Sequence, residues 1–377
     1  MKETEAQLEK KEENLIIQED SQKNQETKEI NTYENIFTDI KNINNFLSKE
    51  CVPFNDKFEL LEVIKSGSAG TVFRGRLRNN PKFIKEIAFK FLNEYNRGKK
   101  IDQQNKKEKL QHMEISVHGI LKNRHIPAIY GYHKIQNYSC ISMEYVKYGD
   151  LENFKRKILK RSTLSETLLS YIGGGILEAL YFLHIKNKII HLDIKQQNVL
   201  IDEFLTIKLT DFSVSINYSK IKDYIYLPMV GTCYYMSPEI LDKKKIKIKE
   251  ASKIDIYSFG VLLYLLAFYD YPYKLKDVDS KNYIQILKNI ELNDLEFPKD
   301  TGHSKVFIDF LKYCLNKNLK ERFNIIQAMN HPWFKGYQII LNEKEKLYNA
   351  GKFIIDLMVD NMMPFNNYIK EQEKLFL

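Results

Sequence analysis

The chain is poor in the residues that mark an oxidising compartment or a metal scaffold. It has only four cysteines in 377 residues. Cys51, Cys140, Cys233 and Cys314 stand too far apart to form a CxxC pair. That excludes a zinc site of the usual spacing and a disulfide framework, and fits a reducing compartment. Arginine is scarce beside lysine, and no stretch interleaves it with aromatics. The net charge of +9 therefore reads as a solvated lysine-rich surface, and no nucleic-acid partner is expected. The longest apolar run, IYSFGVLLYLLAFY from Ile256, is shorter than a bilayer span and reads as a buried core helix. The opening MKETEAQLEK has no apolar core of a secretory signal, and Lys2 excludes myristoylation. The expected location is cytoplasmic, with the nucleus as the alternative.

Apolar residues make up 44% of the chain, enough for one large two-lobed domain or two ordinary ones. Residues 1–54 are different: Glu, Lys, Gln and Asn dominate, which predicts a disordered or loosely helical extension. Within it, YENIFTDIKNINNFL is apolar enough to dock on the main body. From Phe58, the segments FELLEVI, TVFRGRL and EIAFKFL read as short strands joined in part by glycine turns. Leu110, Met113, Val117 and Ile120 recur at helical steps across 105–123, and YSCISMEY returns to a strand. Past KYGD the pattern turns helical. TLSE predicts a helix capped by Thr163, with Glu166 reaching back. The stripe Leu169, Ile172, Ile176, Leu180 and Leu183 should face a core. Gly173, Gly174 and Gly175 interrupt this helix at about 1 kcal/mol each relative to alanine, which predicts a neighbour packed very close. A strand-rich lobe followed by a helical lobe places a ligand cleft between them.

Four segments carry chemistry-bearing residues. IKSGSAGTVFRG holds Gly67 and Gly70 in a hairpin that is either a plain turn or a backbone cradle for phosphate. Lys90 ends IAFK, where it either lies on the surface or neutralises phosphate, held by Glu114 on the following helix. HLDIKQQNVL brings Asp193, Lys195 and Asn198 within six positions. A carboxylate there can accept a hydroxyl proton, a cation can steady a phosphoryl group, and an amide oxygen can ligate Mg²⁺; the alternative is a polar loop. LTDFSVS adds Asp211, a second hard oxygen donor.

Followed by GTCYYMSPE at 231–239 and KIDIYSFGVLLYLL at 253–266, this ordered series resembles the eukaryotic protein kinases over residues 55–334. The resemblance implies an α+β, bilobal kinase fold, with a β-rich N-lobe (55–143) carrying one main helix. A hinge (144–150) and a mostly helical C-lobe (151–334) follow. It implies a Ser/Thr protein kinase using ATP with Mg²⁺, or alternatively Mn²⁺. Gly67 and Gly70 would cover the nucleotide, with Ile64, Val72, Ala88 and Leu200 also on the nucleotide site. Lys90 would contact phosphates, paired with Glu114. Met143 would be the gatekeeper, Glu144 to Val146 would offer backbone hydrogen bonds to adenine, and Asp150 would meet the ribose. Asp193 would be the catalytic base, Lys195 the phosphate-steadying cation, and Asn198 and Asp211 the metal ligands. Lys195 with Thr232 favours Ser/Thr acceptors. Glu239 would pair with Arg322, and Asp255 would anchor the catalytic loop.

The sequence departs from the family pattern at four places. Lys65 stands where the first loop glycine is usual, Ala69 replaces an aromatic, Ser213 replaces the glycine of Asp-Phe-Gly, and Leu192 replaces the arginine before the catalytic acid. None of them removes a group that touches phosphate, metal or acceptor. The expectation is an active kinase that does not depend strongly on phosphorylation between Asp211 and Glu239; the alternative is a pseudokinase scaffold. Residues 335–377 read as an amphipathic helical extension, either packed on the C-lobe or binding a regulatory partner.

Overall fold

The computed structural model describes residues 58–67, 70–77, 86–92, 117–135, 138–159, 163–229, 231–275, 278–299, 302–349 and 363–374. Five strands form one antiparallel sheet: β1 (Phe58–Gly67), β2 (Gly70–Leu77), β3 (Ile87–Leu92), β4 (Ile129–Ile135) and β5 (Tyr138–Glu144), in the order β1-β2-β3-β5-β4. The central β3 is buried on both faces, and its alternation sorts the sheet. Ile87 and Phe89 pack with Phe58, Leu77, Tyr130 and Cys140 on one side. Ala88 and Leu92 pack with Ile141 and Met143 on the other. Side chains two apart share a face, so Lys90 emerges on the side of Ala88 and Leu92. Of the predicted helix over 105–123, residues 117–123 lie among the described ones, and there it ends at His118 and not at 123, the chain turning through 119–123.

The second layer is helical: α1 (Glu166–Tyr181), α2 (Lys253–Phe268), α3 (Tyr283–Leu292), α4 (Lys305–Cys314), α5 (Ile325–Asn330), α6 (Pro332–Asn349) and α7 (Met363–Glu373). Three short ladders are embedded in it, β6 (Ile189–Ile190) with β9 (Ile216–Asn217), β7 (Val199–Ile201) with β8 (Ile207–Leu209), and β10 (Tyr224–Tyr226) with β11 (Lys245–Lys247). This sheet lobe and helical lobe form the bilobal α+β architecture expected from the sequence.

The start of α1 differs from the expectation. Ser165, not Thr163, is the N-cap and accepts from the Leu168 N–H. The Leu164 N–H is drawn to the Leu266 carbonyl at 3.0 Å, so the chain stays extended for one residue more than a Thr163 cap allows. Glu166 then falls in the first turn and points away, accepting from the Ser304 N–H and hydroxyl at 2.7 and 2.6 Å.

The glycine triplet meets its neighbours as its cost predicted. A methyl group on Gly173 would lie 3.0 Å from the Trp333 ring, on Gly174 2.1 Å from the Tyr337 ring, and on Gly175 2.7 Å from Ile207. The first two contacts are made by α6, which lays Trp333, Tyr337 and Ile340 into the core. Two helical stretches, Glu166–Lys186 and Ile248–Phe268, are in fact long and apolar enough to cross a membrane. The second extends the run from Ile256 because a tight turn at Ile248–Glu250 leads into α2. They are 78% and 89% buried inside the protein, as core helices are.

Candidate active site

The loop from His191 to Asn198 runs from β6 to β7 and hangs on one buried carboxylate. Asp255, in the first turn of α2, accepts from the His191 N–H at 2.8 Å and the Leu192 N–H at 2.9 Å, and meets His184 Nε2 at 2.8 Å. Burial alone would raise the Asp255 carboxyl, but His184 and the His191 N–H outweigh it and hold the group below its ordinary range. Leu192 adopts a left-handed φ of 68°. This conformation costs an ordinary side chain about 1–2 kcal/mol, and the bond to Asp255 keeps it there. The Leu192 side chain is buried, so no cation stands at this position.

The turn that results aims three polar groups at one point. Lys195 Nζ lies 2.6 Å from Asp193 Oδ2, and Asn198 Nδ2 lies 2.8 Å from the same oxygen and 2.8 Å from the Asp193 carbonyl. Lys195 also donates to Thr232 Oγ1 at 3.1 Å. The other carboxylate oxygen, Oδ1, faces Gly231. Asp193 is thus an ionisable group with one oxygen held by donors and the other turned towards the segment that carries Thr232.

Across the cleft, Asp211 follows β8 with a left-handed φ of 69° and pairs with Lys90 at 3.2 Å. Burial would raise its carboxyl, but the Lys90 ammonium and the Ser213 hydroxyl together hold it well below the carboxylate range. Phe212 is fully buried, with its ring 4.8 Å from that of His118 and 5.0 Å from that of His191. Burial lowers His118 to about 4, so it is neutral at physiological pH and donates from Nε2 to the Pro127 carbonyl at 2.7 Å.

The residues present fit a complex of a nucleotide with a hard divalent metal ion. Asn198 commits its amide nitrogen to Asp193, which leaves the amide oxygen, and Asp211 is ionised; both are hard donors. No group of three or more acidic, His or Cys side chains able to hold a metal occurs among the described residues. A site with one carboxylate and one amide suits an ion that takes its remaining ligands from water and phosphate.

On the nucleotide side, Val72, Ala88 and Met143 belong to one apolar cluster. Leu200 lies on β7, bridged to Asp150. Ile64 is exposed on β1, and Gly67 pairs with Gly70 to close the hairpin. Local hydrogen bonds engage part of this set. The Glu144 N–H already donates to the Ala128 carbonyl at 2.8 Å, so that donor is not open to adenine. Asp150 caps a helical turn, with its oxygens accepting from the Asn153 N–H and Nδ2 at 2.8 and 3.1 Å. The Val146 carbonyl is likewise bonded to the Gly149 N–H. Glu114 lies outside the described residues.

Three contacts went unread in the sequence. Lys65 crosses the cleft mouth to the Gln197 carbonyl at 3.0 Å. Lys208 on β8 binds the Glu144 carboxylate at 3.1 Å, tying the hinge to the strand before Asp211. Ser213, seen in the sequence only as a lost glycine, supports the charge on Asp211. The one available signal was chemical type, since each is a polar residue placed beside a motif.

A sheet lobe and a helical lobe with two carboxylates, two lysines and an amide brought together by these loops have the arrangement of a protein kinase domain. The chain belongs to the protein kinase family, whose protein kinase domain matches residues 58–334. It is 28% identical over 307 residues to MAP kinase kinase MKK1/SSP32 of Saccharomyces cerevisiae, covering 79% of this chain and 56% of that protein. It is 31% identical over 290 residues to calcium-dependent protein kinase 6 of Plasmodium berghei, covering 72% and 18%. It is 27% identical over 307 residues to human NUAK family SNF1-like kinase 1, covering 81% and 42%. The chain thus spans about half or less of the length of these relatives.

Proposed function

We propose that this chain is an active Ser/Thr protein kinase that moves the γ-phosphoryl group of ATP to a protein hydroxyl. The observation that carries the reading is the convergence on Asp193. Lys195 and Asn198 bind its Oδ2, while Oδ1 remains towards Gly231 and the acceptor side. The acceptor oxygen attacks the γ-phosphorus, the bond to the β-bridging oxygen breaks, and the acceptor proton passes to Asp193. Lys195 steadies the transferring group, and Lys90 draws in the remaining phosphate charge. A magnesium ion, with manganese as the alternative, would be held by Asn198 and Asp211 and would neutralise phosphate charge. Phosphoryl transfer needs mainly position and charge, and these residues supply both. Lys195 bridging Asp193 and Thr232 supports Ser/Thr acceptors over tyrosine.

Asp193→Asn is the test. Phosphate transfer to a generic protein acceptor should fall by at least about a hundredfold, a general-base contribution of ordinary size. Equal activity in the two proteins would overturn the assignment. Control by phosphorylation should be weak, because Leu192 places no cation where a phosphate on the 211–239 segment would be held. Phosphatase treatment that abolishes turnover would refute that part.

One observation favours the rival reading of a silent scaffold. The Lys65 bridge to the Gln197 carbonyl spans the mouth of the nucleotide cleft. A scaffold that does not bind nucleotide would show no thermal shift with Mg·ATP, whereas the active enzyme should show one.

A further inference from the structure

Between Asp211 and Glu239 the chain forms β10, which pairs with β11 through Tyr224–Lys247, Ile225–Ile246 and Tyr226–Lys245. Alternation puts Ile225 and Ile246 inside and leaves Tyr224, Tyr226, Lys245 and Lys247 exposed on one outer face. The flanking segments 219–226 and 242–250 hold seven lysines against three acids. Among the described residues, Lys244 alone of the seven has a carboxylate in salt-bridge range, Asp242 at 2.8 Å. Lys245 lies over the Tyr224 ring at 4.5 Å and Lys243 over the Tyr283 ring at 5.8 Å. These lysines sit on aromatic faces and lack acidic partners.

Its place in the chain separates this ladder from the rest of the lysine-rich surface. Only five positions lead from Tyr226 to Gly231, which lies against Asp193. Five residues reach at most about 18 Å. A peptide whose hydroxyl is at Asp193 can therefore lay residues about five positions away across this face.

Resting on the kinase reading above, we propose that the Tyr224/Tyr226/Lys245/Lys247 face docks an acidic segment of the protein substrate, so that acceptors with Asp or Glu about five residues from the phosphorylated hydroxyl are preferred. The occupant is peptide because the face is continuous with the acceptor segment, and acidic because the lysines lack counter-charge. The tyrosines supply apolar contact for the peptide backbone and hold the lysine stems in place.

The experiment uses the full chain and two serine peptides that differ only in Glu or Gln at those positions. Turnover and fluorescence-anisotropy binding are both measured, for wild type, Lys245→Glu/Lys247→Glu, and the milder Lys245→Gln/Lys247→Gln. The Glu peptide should be favoured about tenfold through KM, less at high salt, and charge reversal should remove the preference while leaving the Gln peptide's rate unchanged. Equal use of the two peptides, or a preference that survives both double variants, overturns the proposal. Duplex DNA displacing the Glu peptide at far lower charge concentration would assign the face to nucleic acid and also overturn it. Charge-dependent binding without turnover of either peptide would sink the kinase reading and leave the docking face standing.

Discussion

Replacing Gly231 by alanine should damage catalysis more than stability. Gly231 has φ +95°, a conformation that side chains rarely adopt, and a Cβ built on it would lie 2.9 Å from both Asp193 Oδ1 and the Leu192 carbonyl. Ordinary contacts begin at 3.4 Å, so both oxygens must give way by roughly half an ångström, at a backbone strain of about 1–3 kcal/mol. Leu192 is fixed through its N–H to Asp255, and Asp193 Oδ2 is fixed by Lys195 and Asn198. Part of the displacement therefore falls on the oxygen that would accept the proton. A shift of 1 Å in a catalytic group can cost about a hundredfold, so half of that predicts a fall in kcat of about ten- to a hundredfold. KM for ATP should stay within about twofold, because Lys90 and Asp211 do not touch Gly231. Steady-state kinetics with ATP and a serine peptide, beside a thermal melt, gives both numbers. A Gly231→Ala protein with wild-type kcat would refute the placement of Asp193 Oδ1 against the acceptor segment.

Gly174→Ala should destabilise by about 1–3 kcal/mol through overpacking against Tyr337, measurable by denaturant unfolding and relieved in the double variant with Tyr337→Leu. Arg322→Met should cost about 3–5 kcal/mol, because Glu239 loses the fully buried guanidinium at 2.8 and 3.1 Å and keeps a buried charge; adding Glu239→Leu should recover much of it in a thermal melt. Glu166 is raised to about 7 by burial. The folded state then binds the proton more tightly than the unfolded chain, so stability falls as pH rises from about 4.5 to 7, by about 3 kcal/mol in all. In Glu166→Gln that slope should disappear from urea titrations run across the range, and an unchanged slope would refute the assignment.

The sheet lobe and the long helices were legible because their signals are local. Alternation in IAFKFL and the apolar run in α2 need no distant partner to be read. The same holds for Asp193, Lys195 and Asn198, which one tight turn brings together. The errors came where a tertiary contact overrode a local rule. Thr163 has the side chain and spacing of a cap, yet the Leu266 carbonyl, about a hundred residues on, sets where α1 begins. Lys65 to Gln197 and Lys208 to Glu144 join segments 132 and 64 residues apart, and no periodicity encodes such pairs.

The contact between Gly174 and Tyr337 bears on where this protein can be cut. The family match ends at 334, three residues short of the ring that fills the notch left by the glycine. A fragment ended at that boundary would expose a slot on α1 shaped for an aromatic side chain, at a loss comparable to an aromatic truncation, about 3–5 kcal/mol. Such a fragment should aggregate or melt early, and one carried through Leu341 should not. The practical edge of the folding unit is set by a side chain on α6 and not by the last family motif.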